Sequence, residues 1–104
     1  MIAAAGVTRL EIDLSEFHVE ELDPREFVSA PAQGVLGLQI REEDNDLFEL
    51  LQKNMNHKPT HDRIAIERGV LRKFNGGCQI PLGVYVEEKE GLYHVWGSVA
   101  DNWD

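Results

Sequence analysis

The groups in this 104-residue chain with chemical potential are a single thiol, a basic helix before it, and an acid–base pair within an apolar stripe. The thiol is Cys78, the sole cysteine, in the stretch Asn75-Gly76-Gly77-Cys78-Gln79-Ile80-Pro81. A lone thiol cannot close an intramolecular disulfide and is too few for a structural zinc site. Two readings stand: a small buried apolar side chain, or a nucleophile or covalent anchor, which needs thiolate character and access. Arg68, Arg72 and Lys73 gather ahead of it. Such a concentration suits an anionic ligand and equally suits an ordinary solvated helix face. Arg63 and Glu67 stand one helical turn apart among apolar neighbours. Unpaired burial of either costs several kcal/mol, so a structural ion pair is expected.

The elements that must position these groups follow from periodicity. Residues 60–74 read as a helix, with Thr60 as N-cap and Asp62 in the first turn. At 100° per residue, Ile64, Ile66, Val70, Leu71 and Phe74 share one broad face that also takes in Arg63 and Glu67. Gly76 and Gly77 permit a sharp reversal. Ile80, Leu82, Val84 and Val86 then alternate as a strand with one buried face, and Pro81 keeps its start at an edge. Residues 87–91 form a hairpin loop, and residues 92–99 return antiparallel.

Upstream, an apolar run at residues 2–7 precedes a possible helix end at Gly6, with Arg9 beyond it. Residues 12–23 are acidic and amphipathic and suggest a helical turn or short helix stopped by Pro24. His18 and His57 read as surface residues, with no metal-ligand spacing around them. Residues 27–34 are a Pro- and Gly-punctuated loop. Residues 35–40 predict a strand buried on both faces, with Gly37 inside it. Leu47, Leu50, Leu51 and Met55 form a helical stripe expected in the core, behind the acidic start Glu42-Glu43-Asp44.

The net charge is -9. Residues 1–41 hold three Lys/Arg against seven Asp/Glu, residues 42–77 six against seven, and residues 78–104 one against five. A nucleic-acid binder is normally basic, so that class is set aside. The longest apolar run is far too short to span a membrane, and no secretory signal pattern opens the chain. One cysteine fits a reducing compartment. The fold class expected is α+β. With both ends falling inside elements, the chain reads as a piece of something larger.

Asn56-His57, Thr60, Arg63, Glu67-Arg68 and Gly76-Gly77-Cys78-Gln79-Ile80-Pro81 stand in the order and spacing of hydroxymethylbilane synthase, also called porphobilinogen deaminase. Ala5-Gly6-Val7-Thr8-Arg9-Leu10 resembles that family's Ala-Gly-x-x-Arg-Leu segment. Residues 30–37 resemble its Gly-Gln-Gly-x-x-Gly loop, except that Ala32 stands where the family more often has glycine.

The resemblance implies a fragment of a three-domain α/β enzyme, ending in a helix plus antiparallel hairpin of the C-terminal domain. Residues 1–34 would be the tail of domain two and the hinge loop. Residues 35–57 would be a strand and helix crossing back to domain one, and residues 58–104 the start of the C-terminal cofactor-attachment domain. It implies that Cys78 carries a dipyrromethane cofactor through a thioether, onto which porphobilinogen units are condensed and released as hydroxymethylbilane. Arg9 would lie in the cofactor and substrate cleft, and Gln33 and Gly34 in the hinge loop beside it. Arg63, Glu67 and Arg68 would be interdomain or structural support. No catalytic residue is matched here, since the family's catalytic aspartate lies in a segment further upstream. The expectations are therefore a transferase of tetrapyrrole and heme biosynthesis as the parent, cytoplasmic and monomeric, with no metal, nucleic acid or membrane partner. The isolated piece is expected to be inactive, to lack the cofactor and to self-associate. The alternative is a small regulatory or scaffold α+β domain with an unmodified thiol.

Overall fold

Pro59 in the first turn opens the longest helix, where its fixed φ and missing N–H cost nothing. In the computed structural model, which describes residues 1–74 and 81–100, the helices are α1 (Ala4–Arg9), α2 (Asn45–Asn54) and α3 (Lys58–Lys73). The strands β1 (Leu82–Lys89) and β2 (Leu92–Val99) form one antiparallel hairpin. The fold class is α+β, as the periodicity implied.

His57, not Thr60, occupies the N-cap position of α3. Thr60 lies inside the first turn, where its hydroxyl meets His57 Nδ1 at 2.8 Å. Arg72 and Lys73 close the last turn, the favourable end of the helix dipole for cations. Ile66, Val70 and Leu71 pack on Leu82, Val84 and Val86, and these three strand residues are the buried apolar core.

The hairpin is tighter than a five-residue loop. Lys89 pairs with Leu92, which leaves only Glu90 and Gly91 between the strands. Their φ values of 55° and 77° are the left-handed pair that a two-residue type I′ turn requires. Residues directly opposite share a face. Val84 therefore sits beside Gly97, and Val86 beside Val95, facing α3. The helix covers the β1 half of this face. Tyr93, Val95 and Val99 on the β2 half remain 44–58% exposed.

Four upstream expectations are corrected. Gly6 lies within α1, which ends at Arg9. Residues 12–23 form turns, not a helix, among the described residues. Asp13 accepts the Ser15 N–H at 2.9 Å and Asp23 the Arg25 N–H at 2.8 Å. Such local carboxylate–backbone bonds compete directly with helical ones. Residues 35–40 are not a strand, and Leu36 is 95% exposed. An apolar run becomes a buried strand only where another strand pairs with it, and no described strand does. The α2 stripe is helical as expected but is not core, for α2 holds no buried residue.

The consequence is a large surface. The chain exposes 9332 Å², against about 5,900 Å² for a folded monomer of this mass. Its radius of gyration is 16.7 Å, against about 13 Å for a compact domain of this length.

Candidate functional site

The site is built on the open edge of β1. One edge of that strand pairs with β2. On the other, the Val84 N–H donates to the Ser29 carbonyl at 2.9 Å, so residues 28–29 lie where a third strand would begin. Gly83 makes this approach possible, because a Cβ there would stand 2.4 Å from the Val28 carbonyl oxygen. The next donor along the same edge is the Val86 N–H. It donates to Glu67 Oε1 at 3.2 Å, so a side-chain carboxylate from α3 takes the place of the next strand carbonyl.

Glu67 is 7% exposed and is the buried charged residue of the described chain. Its second oxygen, Oε2, accepts the Ala32 N–H at 2.7 Å. A buried carboxylate is tolerated when backbone donors satisfy it. The expected Arg63–Glu67 ion pair is not formed. Arg63 turns back along α3 to the Pro59 carbonyl at 3.3 Å and the Thr60 hydroxyl at 3.5 Å. An acid inside an apolar stripe does need buried partners, and here they are main-chain amides.

Those contacts fix the turn that carries two of the candidate residues. Gln33 N–H donates to the Ala30 carbonyl at 3.1 Å and Val35 N–H to the Ala32 carbonyl at 3.2 Å. Ala32 and Gly34 both have left-handed φ, 63° and 76°. Gln33 is held between them with its side chain exposed, and Gly34 has open space around its Cα. A second fastening lies just upstream. Arg25 makes a bidentate pair with Glu87, with bonds of 2.8 and 3.3 Å to Oε2 and 3.1 Å to Oε1. Its guanidinium also lies 5.6 Å from the ring centre of Trp96, which packs against Tyr85. The Glu87 hydrogen bond, with its charge and that of Asp23, holds the Arg25 guanidinium above its ordinary value. No sequence signal announced this pair, whose partners are 62 residues apart.

Arg9 lies in the last turn of α1, exposed and without an ion-pair partner among the described residues. That is the chemistry a carboxylate ligand needs. The hydrogen bonds of α1 are local, and none joins it to the turn at Gln33 and Gly34. Cys78 lies outside the described residues, in the link between α3 and β1. Among the described residues no group of three or more metal-ligating side chains converges.

Fold and site together define an α+β unit in which a helix and a hairpin, flanking one thiol in sequence, are tied to an upstream loop. Two family models match the sequence: "Porphobilinogen deaminase, dipyromethane cofactor binding domain" over residues 1–49, and "Porphobilinogen deaminase, C-terminal domain" over residues 62–96. The chain belongs to the porphobilinogen deaminase family. It is 42% identical over 101 residues to the porphobilinogen deaminase of Gloeobacter violaceus, a match covering 96% of this chain and 30% of that protein. Identity to the Thermus thermophilus protein of the same name is 42% over 98 residues, covering 93% and 32% of the two chains. Identity to a probable porphobilinogen deaminase of Methanocaldococcus jannaschii is 32% over 104 residues, covering 98% and 34%. The chain thus spans about a third of the length of the curated relatives it matches. No solved structure matches it significantly.

Proposed function

We propose that these residues form the cofactor-attachment and hinge portion of a hydroxymethylbilane synthase. The observation that carries the reading is the tie between the Gln33–Gly34 turn and the α3–β1 pair, the two elements between which Cys78 falls. When bound, a dipyrromethane supplies the primer onto which porphobilinogen units are condensed. Cys78 would hold it through a bond from Sγ to a pyrrole methylene carbon. Arg9 would meet acetate or propionate groups, and its lack of an ion pair among the described residues supports that role. Gln33 offers an amide from a fixed turn, and Gly34 leaves room for close approach. In this reading residues 1–34 close domain two and carry the hinge, residues 35–57 return to domain one, and residues 58–104 begin the C-terminal domain.

The 104-residue chain alone is inactive in this account, because no residue of it matches the family's catalytic acid. The test is intact mass before and after incubation with porphobilinogen and hydroxymethylbilane. The isolated chain is expected to keep an unmodified thiol. Joined to the remaining length of a synthase, the same segment is expected to gain a dipyrrole adduct that maps to Cys78 and disappears in Cys78→Ser. Absence of the adduct in the joined protein overturns the assignment and leaves a scaffold domain with a plain thiol. No helix among the described residues is long and apolar enough to cross a membrane, and a cytoplasmic setting is proposed with the enzyme. The isolated chain is also proposed to self-associate through its uncovered apolar residues. A single monomeric species across a concentration series in sedimentation would refute that.

A further inference from the structure

We infer that Glu67 is a positioning residue, which sets where the Gln33–Gly34 turn stands relative to the α3–β1 pair flanking Cys78. The role of the turn rests on the function proposed above; the clamp itself rests on geometry alone.

Glu67 is the point where three elements meet. Its backbone belongs to α3, its Oε1 accepts from β1 at Val86, and its Oε2 accepts from the loop at Ala32. A rigid three-atom carboxylate spans the two amides, so a shift of the loop relative to the strand must break one bond or turn the side chain. The side chain is buried, and among the described residues it has no other hydrogen-bond partner to turn to. Ala32 is also the first of the left-handed residues that shape the turn, so the bond holds the turn at its origin. Just upstream, the Ser29–Val84 bond and the Arg25–Glu87 pair fix residues 25–29 on the same hairpin. After Gly34, by contrast, the described backbone makes no hydrogen bond to α3 or the hairpin. Glu67 is therefore the last fastening before the chain leaves, and the pivot for whatever follows lies immediately beyond the turn it holds.

The test is amide hydrogen exchange on the whole 104-residue chain, read residue by residue. In the wild type, the Ala32 amide is expected to exchange at least about tenfold more slowly than the Gly34 amide, which has no acceptor among the described residues. Equal rates at Ala32 and Gly34 overturn the proposal without any variant having to fold. In Glu67→Gln the side chain keeps its shape, but one oxygen becomes an NH₂ donor that cannot accept. Exchange is expected to rise about tenfold at Ala32 or at Val86, whichever amide the new NH₂ faces, while Val84, bonded to Ser29, keeps its protection. A uniform rise across α3, β1 and the loop would show a merely structural acid and refute the positioning role. An absent Cys78 adduct with intact Ala32 protection would instead fault the functional reading and leave the clamp standing.

Discussion

Ala32 is a non-glycine residue at a φ of 63°, and replacing it with glycine should make this protein more stable. A Cβ in the left-handed region costs about 1–2 kcal/mol. Glycine removes that cost but adds unfolded-state freedom worth about 0.4–1 kcal/mol. The Ala32 N–H bond to Glu67 is a main-chain bond and survives the change. The balance is a net gain of about 0.5–1 kcal/mol, or about 2–8 °C in Tm for a unit of this size. Gly34→Ala is the matched control, with the opposite sign. Its φ is 76° and nothing lies within 4 Å of an added Cβ, so backbone strain alone acts and stability should fall. Urea unfolding followed by far-ultraviolet circular dichroism measures both. If Ala32→Gly destabilises, or Gly34→Ala does not, the turn is not held in the left-handed conformation that the argument requires.

Gly83→Ala would place a Cβ 2.4 Å from the Val28 carbonyl oxygen and 3.0 Å from its carbon, so the loop must leave the edge of β1. A loss of about 2–3 kcal/mol in urea unfolding is expected, together with fast exchange at the Val84 amide. Arg25→Met removes the bidentate pair with Glu87 and the stacking on Trp96. Both partners are partly exposed, so its effect on the unfolding midpoint should be small and should vanish at 1 M salt. Asp62 is held below its ordinary value of 3.8, first by the Lys58 hydrogen bond, and Lys58 is raised above 10.5 by the same contact. The acid contributes fully above its ordinary value and loses its contribution as pH falls through the lower folded one. The amine contributes fully below its ordinary value and loses its contribution as pH rises through the higher folded one. Helix content should therefore be flat between those limits and decline at each extreme, and Lys58→Met should weaken the acid-side dependence in a circular dichroism titration, with the His61 contact left to Asp62.

Local pattern and long-range contact were not equally legible in the sequence. The α3 stripe and the alternation of Leu82, Val84 and Val86 are periodic signals set within a few residues, and helix and strand form where they indicate. The run at residues 35–40 and the α2 stripe carry equally good local signals, yet both face solvent. Burial needs a second surface, and periodicity does not say whether one is present. Residues 12–23 form turns in place of the helix their amphipathic pattern suggests, because the Asx-type bonds of Asp13 and Asp23 compete with helical ones. Glu67 was conspicuous as an acid among apolar residues, but a sequence does not show that its partners are the amides of Ala32 and Val86. Arg9, Gln33 and Gly34 came from family spacing alone, and the fold explains only the rigidity of the turn that bears the last two.

The pairing of residues 25–29 with the hairpin also has a consequence in time. Arg25 leaves the ribosome 62 residues before Glu87. At about 5–20 residues per second, the upstream segment waits roughly 3–12 s for the strand on which it will lie. During that interval Arg25 lacks Glu87, and Val28 and Ser29 lack the edge of β1. The partner strand, once made, is completed by a two-residue turn and closes on the microsecond scale. Translation speed, rather than any slow step in the hairpin itself, thus sets how long this loop stands open to chaperones and proteases.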